Sequence, residues 1–147
     1  MKIIVATDGS EFGQAAVDFT SRIIAQPESA EVKVVCVNEP YAPNEFETLV
    51  ESMDELADPK NPAAQSAEEV ARKAAESLKR AFANLQVTHE VLGGMAARAI
   101  VEKAAEWQAD LIVLGSHGRG FWSRNWLGSV SDRVAHHAQC AVTIVRR

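Results

Sequence analysis

Apolar residues recur along this chain in two alternating rhythms. KIIVATD (2–8) is a β-branched run stopped by Asp-Gly-Ser, the pattern of a strand buried on both faces with a turn behind it. Phe12, Ala16, Phe19 and Ile23 then return at helical spacing until Pro27 and predict a helix. EVKVVCVN (31–38) predicts a second strand. Ala67, Val70, Ala74, Leu78, Ala81 and Leu85 make an amphipathic helix of 63–85, and QVTHEVL (86–92) alternates as a strand until Gly93-Gly94. Ile100, Ala104 and Trp107 mark a helix over 95–108, followed by DLIVLG (110–115), the most hydrophobic strand. Leu127, Val130, Val134 and Ala138 mark a last helix, and AVTIVRR closes the chain as a strand.

Five strands therefore alternate with four helices. Near-continuous apolar strands joined by helices predict an α/β fold: one open parallel sheet with helices on both faces. The 147 residues suit a single domain, 1–147. The interval from Glu39 to Pro62 interrupts the rhythm. It holds four of the five prolines and seven acids against one lysine, which predicts a long acidic loop with room for a short helix in 44–57.

Composition narrows the function. No apolar run is long enough to span a membrane, and the N-terminal run ends at Asp8, too soon for a signal-peptide core. Cys36 and Cys140 sit among small aliphatic residues without CxxC spacing, so both are expected as buried free thiols in a reducing cytoplasm. No metal site is expected from the protein's own side chains. The net charge of −5 divides unevenly, with +4 in residues 115–147 and −9 in residues 1–114. A cationic segment on an acidic protein suits a small anion better than a nucleic acid.

That segment is GSHGRGFWSRNWLGSVSD (115–132), which carries four of the eight glycines. A Walker P-loop is absent, Gly118-Arg119-Gly120 lacks the last glycine of a dinucleotide fingerprint, and no GxSxG elbow exists. His136 and His137 point about 100° apart on a helix and cannot pinch a metal together. What remains is Gly115-x2-Gly118-x9-Gly128-Ser129: glycines at a strand end, where backbone can approach a ligand, then a helix start whose amides and dipole favour phosphate. Asp8-Gly9-Ser10 stands at the end of the first strand, and neighbouring strands would bring both segments to one crevice.

Each of these residues also has a purely structural reading. Ser129 with Asp132 has the form of a capping box, Asp8 of a turn starter, and Ser10 of a helix cap. Arg119 and Arg124 are either phosphate contacts or solvated charges. Trp122 and Trp126 suit packing on a neighbouring helix or subunit, and His117 reads as a mobile loop histidine.

The glycine pattern, the opening KIIVATDGSE, ADLIVLGSHGRG and LGSVSDRVAHHAQCAVTIV together resemble the universal stress proteins over nearly the whole chain. That resemblance implies a sheet ordered 3-2-1-4-5, a homodimer and, for this glycine pattern, an ATP site, with ADP or AMP as alternatives and Mg or Mn beside the phosphates. Asp8 would then contact the adenosine, and Val37 would meet adenine through its backbone. Gly115, Gly118, Gly128, Ser129 and Val130 would hold ribose and phosphates. The chain departs from the family at Ala141, where proline is frequent, and at the two tryptophans. An adenylating or pyrophosphatase enzyme would need an HxGH or SGGxDS motif, and TDGSEFG is neither. The implied role is a nucleotide-dependent regulatory module without efficient hydrolysis, against the alternative of a stress protein working through protein contacts alone. The homodimer would form on the edge strand 141–145, and a proline at Thr143 is expected to weaken it.

Overall fold

The computed structural model describes residues 1–39, 62–118 and 127–147. Five strands, β1 (Lys2–Ala6), β2 (Glu31–Asn38), β3 (Gln86–Gly93), β4 (Leu111–Gly115) and β5 (Ala141–Val145), form one sheet in the order β3-β2-β1-β4-β5. Every neighbouring pair is parallel, with Ile4 of β1 level with Lys33 of β2 and with Ile112 of β4. The described helices are α1 (Glu11–Ile23), α2 (Pro62–Ala81), α3 (Ala96–Trp107) and α4 (Ser129–His137).

Alternating side chains divide the core into two layers. Ile3, Val5, Val32 and Val34 pack with Ala16 and Val17 of α1 and with Ala74, Ala75 and Leu78 of α2. Ile4, Ala6, Val35, Ile112 and Leu114 face the other way, onto Ile100 and Ala104 of α3 and Val134 of α4. Burial on both faces is why these strands read as unbroken apolar runs.

Two local details differ from the sequence reading. The buried face of α1 is Gly13, Ala16, Val17 and Thr20, while Phe12, Phe19 and Ile23 are only half-buried. The helix lies so close to the sheet that small residues fill the contact and large ones flank it. Thr20 is tolerated there because its hydroxyl donates to the Ala16 carbonyl at 2.8 Å. Likewise α2 stops at Ala81, and Leu85 is buried from the turn that follows rather than from the helix.

Beyond β5, Arg147 pairs with Glu11 in the first turn of α1.

Candidate functional site

Strand order reverses between β1 and β4, because β2 and β3 lie to one side of β1 while β4 and β5 lie to the other. A sheet that winds both ways leaves a crevice at the carboxyl ends of the strands there. A cleft of about 550 Å³ opens at this place. Asp8, Val37, Gly115, Gly118, Gly128, Ser129 and Val130 all line it. Arg119, Arg124, Trp122, Trp126 and the acidic loop with its possible short helix lie outside the described residues.

The wall from β1 is a tight loop into α1. Ser10 N donates to Asp8 Oδ1 at 2.9 Å, and Gly13 N donates to Ser10 Oγ at 3.2 Å, so Asp8 starts the turn and Ser10 caps the helix. These structural roles coexist with a place in the cleft, which Asp8 lines. A Cβ on Gly118 would stand 3.2 Å from Asp8 Oδ2, so the loops after β1 and β4 do converge. Gly13, not singled out in the sequence, permits this loop: a Cβ there would fall 2.5 Å from Thr7 Oγ1 and 2.8 Å from Asp8 Oδ1. A glycine in the first turn of a helix was the available signal, since it weakens the helix unless something must come close.

The wall from β4 depends on Ser116. Its amide donates to the Val145 carbonyl at 2.8 Å, and its own carbonyl accepts from Gly128 N at 2.8 Å and from Ser131 Oγ at 3.0 Å. Three corrections follow. Gly128 is the N-cap of α4, so Ser129 is its first helical residue and Ser129–Asp132 is not a capping box. The Gly128 amide is already bonded, which leaves Ser129, Val130 and Ser131 as the first-turn donors without intrahelical partners. Neither Gly115 nor Gly118 needs a left-handed backbone, since only Gly9 and Gly94 among the described glycines have positive φ. A Cβ on Gly115 would instead meet the Phe12 backbone at 2.7 Å, so its bareness serves the approach of α1.

His117 is packed rather than mobile. Its ring lies 5.2 Å from that of Phe12, and its Nδ1 is 3.0 Å from Ser116 Oγ. His136 and His137 are exposed on α4, as expected for surface residues. Cys36 is buried and lines the cleft, whereas Cys140 is only half-buried, correcting the expectation of two buried thiols. Partial burial, with the Asp110 charge, pushes the Cys140 thiol up and away from reactivity.

Sequence reasoning also missed the end of β2. Glu39 Oε1 accepts from Ala96 N at 2.7 Å and so caps α3, which has no capping side chain at Met95. Asn38 lines the cleft with 6% of its surface exposed, and its Nδ2 has no hydrogen-bond partner among the described residues. No group of three His, Cys, Asp or Glu side chains among the described residues could hold a metal. None of the described helices is long and apolar enough to cross a membrane.

A parallel sheet in this order, covered by helices on both faces and cleft at its switch point, defines a Rossmann-like α/β protein. Within that class the chain belongs to the universal stress protein family, whose model matches residues 1–146. It is 33% identical to Universal stress protein MJ0531 of Methanocaldococcus jannaschii, covering 99% of this chain and 82% of that one. Universal stress protein UspA of Lactobacillus plantarum shares the fold at a TM-score of 0.81 and 24% identity, over 99% of this chain and 97% of that one. A universal stress protein solved in complex with cAMP matches at a TM-score of 0.70 and 28% identity, over 99% and 96% of the two chains.

Proposed function

We propose that the cleft binds an adenine nucleotide, ATP in the first place with ADP or AMP as alternatives, and that the chain is a nucleotide-dependent regulatory module of the cytoplasm. One observation carries this reading. The end of β1 at Asp8, the end of β2 at Val37, the loop after β4 at Gly118 and the first turn of α4 at Ser129 and Val130 all line a single cleft at the switch point. An anion at the start of α4 is favoured by three first-turn amides and the helix dipole. In this reading Asp8 accepts from ribose hydroxyls and Val37 offers backbone to the base, both from the lining of the cleft. The relative solved with cAMP supports the adenine class.

The residues suit such a ligand on physical grounds. Asn38 supplies a buried donor with no partner among the described residues, and a side chain at Gly118 would fill space between the two loops. Mg or Mn would ride on the phosphates with water completing its shell, since the described residues gather no ligand cluster of their own. The whole chain acts as one domain and pairs with a second copy along β5, the edge strand beyond β4. Nucleic acid and membrane have no part in this reading.

Denaturing the purified protein and identifying any nucleotide released, with calorimetry of ATP, ADP, AMP and cAMP on the stripped protein, tests it. Saturable binding of at least one adenine nucleotide is the expected result. No release and no heat with any of the four overturns it and favours a stress protein that works through protein contacts alone.

A further inference from the structure

The cleft has two chemically different ends. At α4 it offers first-turn amides. At β2, two strands away in the order β2-β1-β4, it is walled by Val37, Ala63, Ala67, Ala96 and Ile100, small or flat apolar residues. Two interstrand spacings of about 4.8 Å separate these ends, the reach of a nucleoside 5′-phosphate from phosphate to base. Three polar side chains also line that end: Glu39, which caps α3, Ser66 of α2, and Asn38. Asn38 continues the face of β2 that carries Val34 and Cys36 toward α2, and it lines the cleft. It is 94% buried on the 6% exposure given above, and its Nδ2 has no partner among the described residues.

A buried amide donor without a partner is disfavoured, and native structures retain few of them without cause. An apolar residue of the same size would fill the place without that penalty. The donor therefore makes sense if its acceptor arrives with a ligand.

We infer that Asn38 reads the base of the bound nucleotide: Nδ2 donates to a purine ring nitrogen while Oδ1 accepts from the neighbouring exocyclic amine, a pairing that selects adenine. A carboxamide matches adenine in this bidentate way. Guanine in the same position would set its O6 acceptor against Oδ1. The slot grips any purine, and Asn38 adds its carboxamide to the backbone contact that Val37 offers the base. This rests on the nucleotide reading above.

The test is calorimetry of the wild type and Asn38→Leu with ATP, GTP and purine riboside triphosphate, which lacks the exocyclic amine. In the wild type, ATP is expected to bind about tenfold or more tighter than the other two. In Asn38→Leu, ATP affinity falls by about tenfold and ATP and the amine-free analogue become equal. The ligand-free variant melts at or above the wild-type temperature, because an unpaired donor has been removed. Wild-type affinities that do not distinguish the three nucleotides overturn the inference, as does an Asn38→Leu protein that binds ATP normally, whatever its melting temperature. Should Asn38→Leu fail to fold, Asn38→Asp replaces it, keeping the acceptor and losing the donor, and wild-type ATP affinity in that variant overturns the inference. If the wild type binds ATP but Asn38→Leu is indifferent, only this inference falls. If no adenine nucleotide binds, the functional reading falls and takes it along.

Discussion

The buried Ser131 hydroxyl, one turn into α4, donates to the Ser116 carbonyl just beyond β4 at 3.0 Å, and the Gly128 amide reaches the same oxygen at 2.8 Å. One carbonyl thus pins the start of the helix to the end of the strand. The first turn of α4 is held at the switch point by backbone and serine, without help from ligand. The donors left over for an anion belong to Ser129, Val130 and Ser131.

Ser129 is exposed at the first helical position and makes no cap. Ser129→Glu should therefore separate folding from binding. A carboxylate in the first turn stabilises the helix through its dipole by about 0.3–1 kcal/mol. The same charge opposes a phosphate a few ångströms away by about 1–4 kcal/mol, depending on the local dielectric, which corresponds to a loss of affinity of about fivefold or more. Calorimetry should show weaker ATP binding while the melting temperature holds or rises. Unchanged affinity would remove the phosphate from α4.

Gly115 and Gly118 should respond differently although both belong to the sequence pattern. In Gly115→Ala the new carbon meets the Phe12 backbone at 2.7 Å, a clash that α1 can relieve only by lifting off the sheet. Overpacking of this kind costs about 1–3 kcal/mol, or several degrees of melting temperature. In Gly118→Ala the carbon meets, among the described residues, only Asp8 Oδ2, at 3.2 Å, and a side-chain carboxylate can shift by the few tenths of an ångström required. Denaturant melts should show a destabilised Gly115→Ala and a near-normal Gly118→Ala, the latter with weaker nucleotide binding. Equal stability losses would contradict the assignment.

At the other end of the sheet, Lys33 and Lys103 both reach Glu90, at 3.0 and 2.8 Å, and Lys103 also reaches Glu106 at 2.9 Å. Lys2 and Lys33 lie 5.4 and 5.6 Å from the centre of the Trp107 ring. Partial burial pushes the Glu90 carboxyl upward, but the bonds from Lys103 and Lys33 outweigh it and leave the group below its ordinary 4.5. Hydrogen bonds to Glu90 and Glu106 raise Lys103 above its ordinary 10.5. A lowered carboxylate contributes stability above its ordinary value and loses it as pH falls through the lowered one; a raised lysine contributes below its ordinary value and loses it as pH rises through the raised one. Glu90→Gln should cost about 0.5–1 kcal/mol near pH 7, allowing for solvent screening of half-exposed groups. The gap to wild type should close in acid below about pH 4.5 and in base above about pH 10.5. Urea melts across pH that show a constant gap would mean that the ion network is not its source.

The sheet was legible because its strands are buried on both faces, and the apolar runs at β1, β2 and β4 report that directly. The cleft was legible because all seven expected residues that are described come from strand ends and the start of α4, positions that follow from topology. The reasons behind particular residues were not legible. Gly115 looks like a ligand glycine in sequence, but its constraint comes from Phe12, a residue distant in the chain. Gly13 and the small face of α1 went unread for the same reason: helix-to-sheet distance is a tertiary quantity. Asn38 ends an apolar strand, and nothing local announces that its amide is buried and unpaired.

The proposed dimer turns on a similar point. In a parallel strand the amide and carbonyl of one residue point to the same side, and successive residues alternate between neighbours. The Ala141 amide bonds the Asp110 carbonyl at 3.3 Å, and the Val145 carbonyl accepts from Ser116 N at 2.8 Å, so residues 141, 143 and 145 serve β4. The free edge of β5 is therefore written by Val142 and Ile144. Thr143→Pro, the choice that sequence suggested, would break the ladder to β4 and damage the fold rather than test the dimer. Ile144→Pro is the informative change, since the N–H it removes points away from β4. Sedimentation at tens of micromolar, roughly the range of a modest interface, should show a dimeric wild type and a dissociated Ile144→Pro with its melting transition still cooperative. A monomeric wild type at that concentration, or an Ile144→Pro variant that is folded and still dimeric, would show that β5 does not pair two copies.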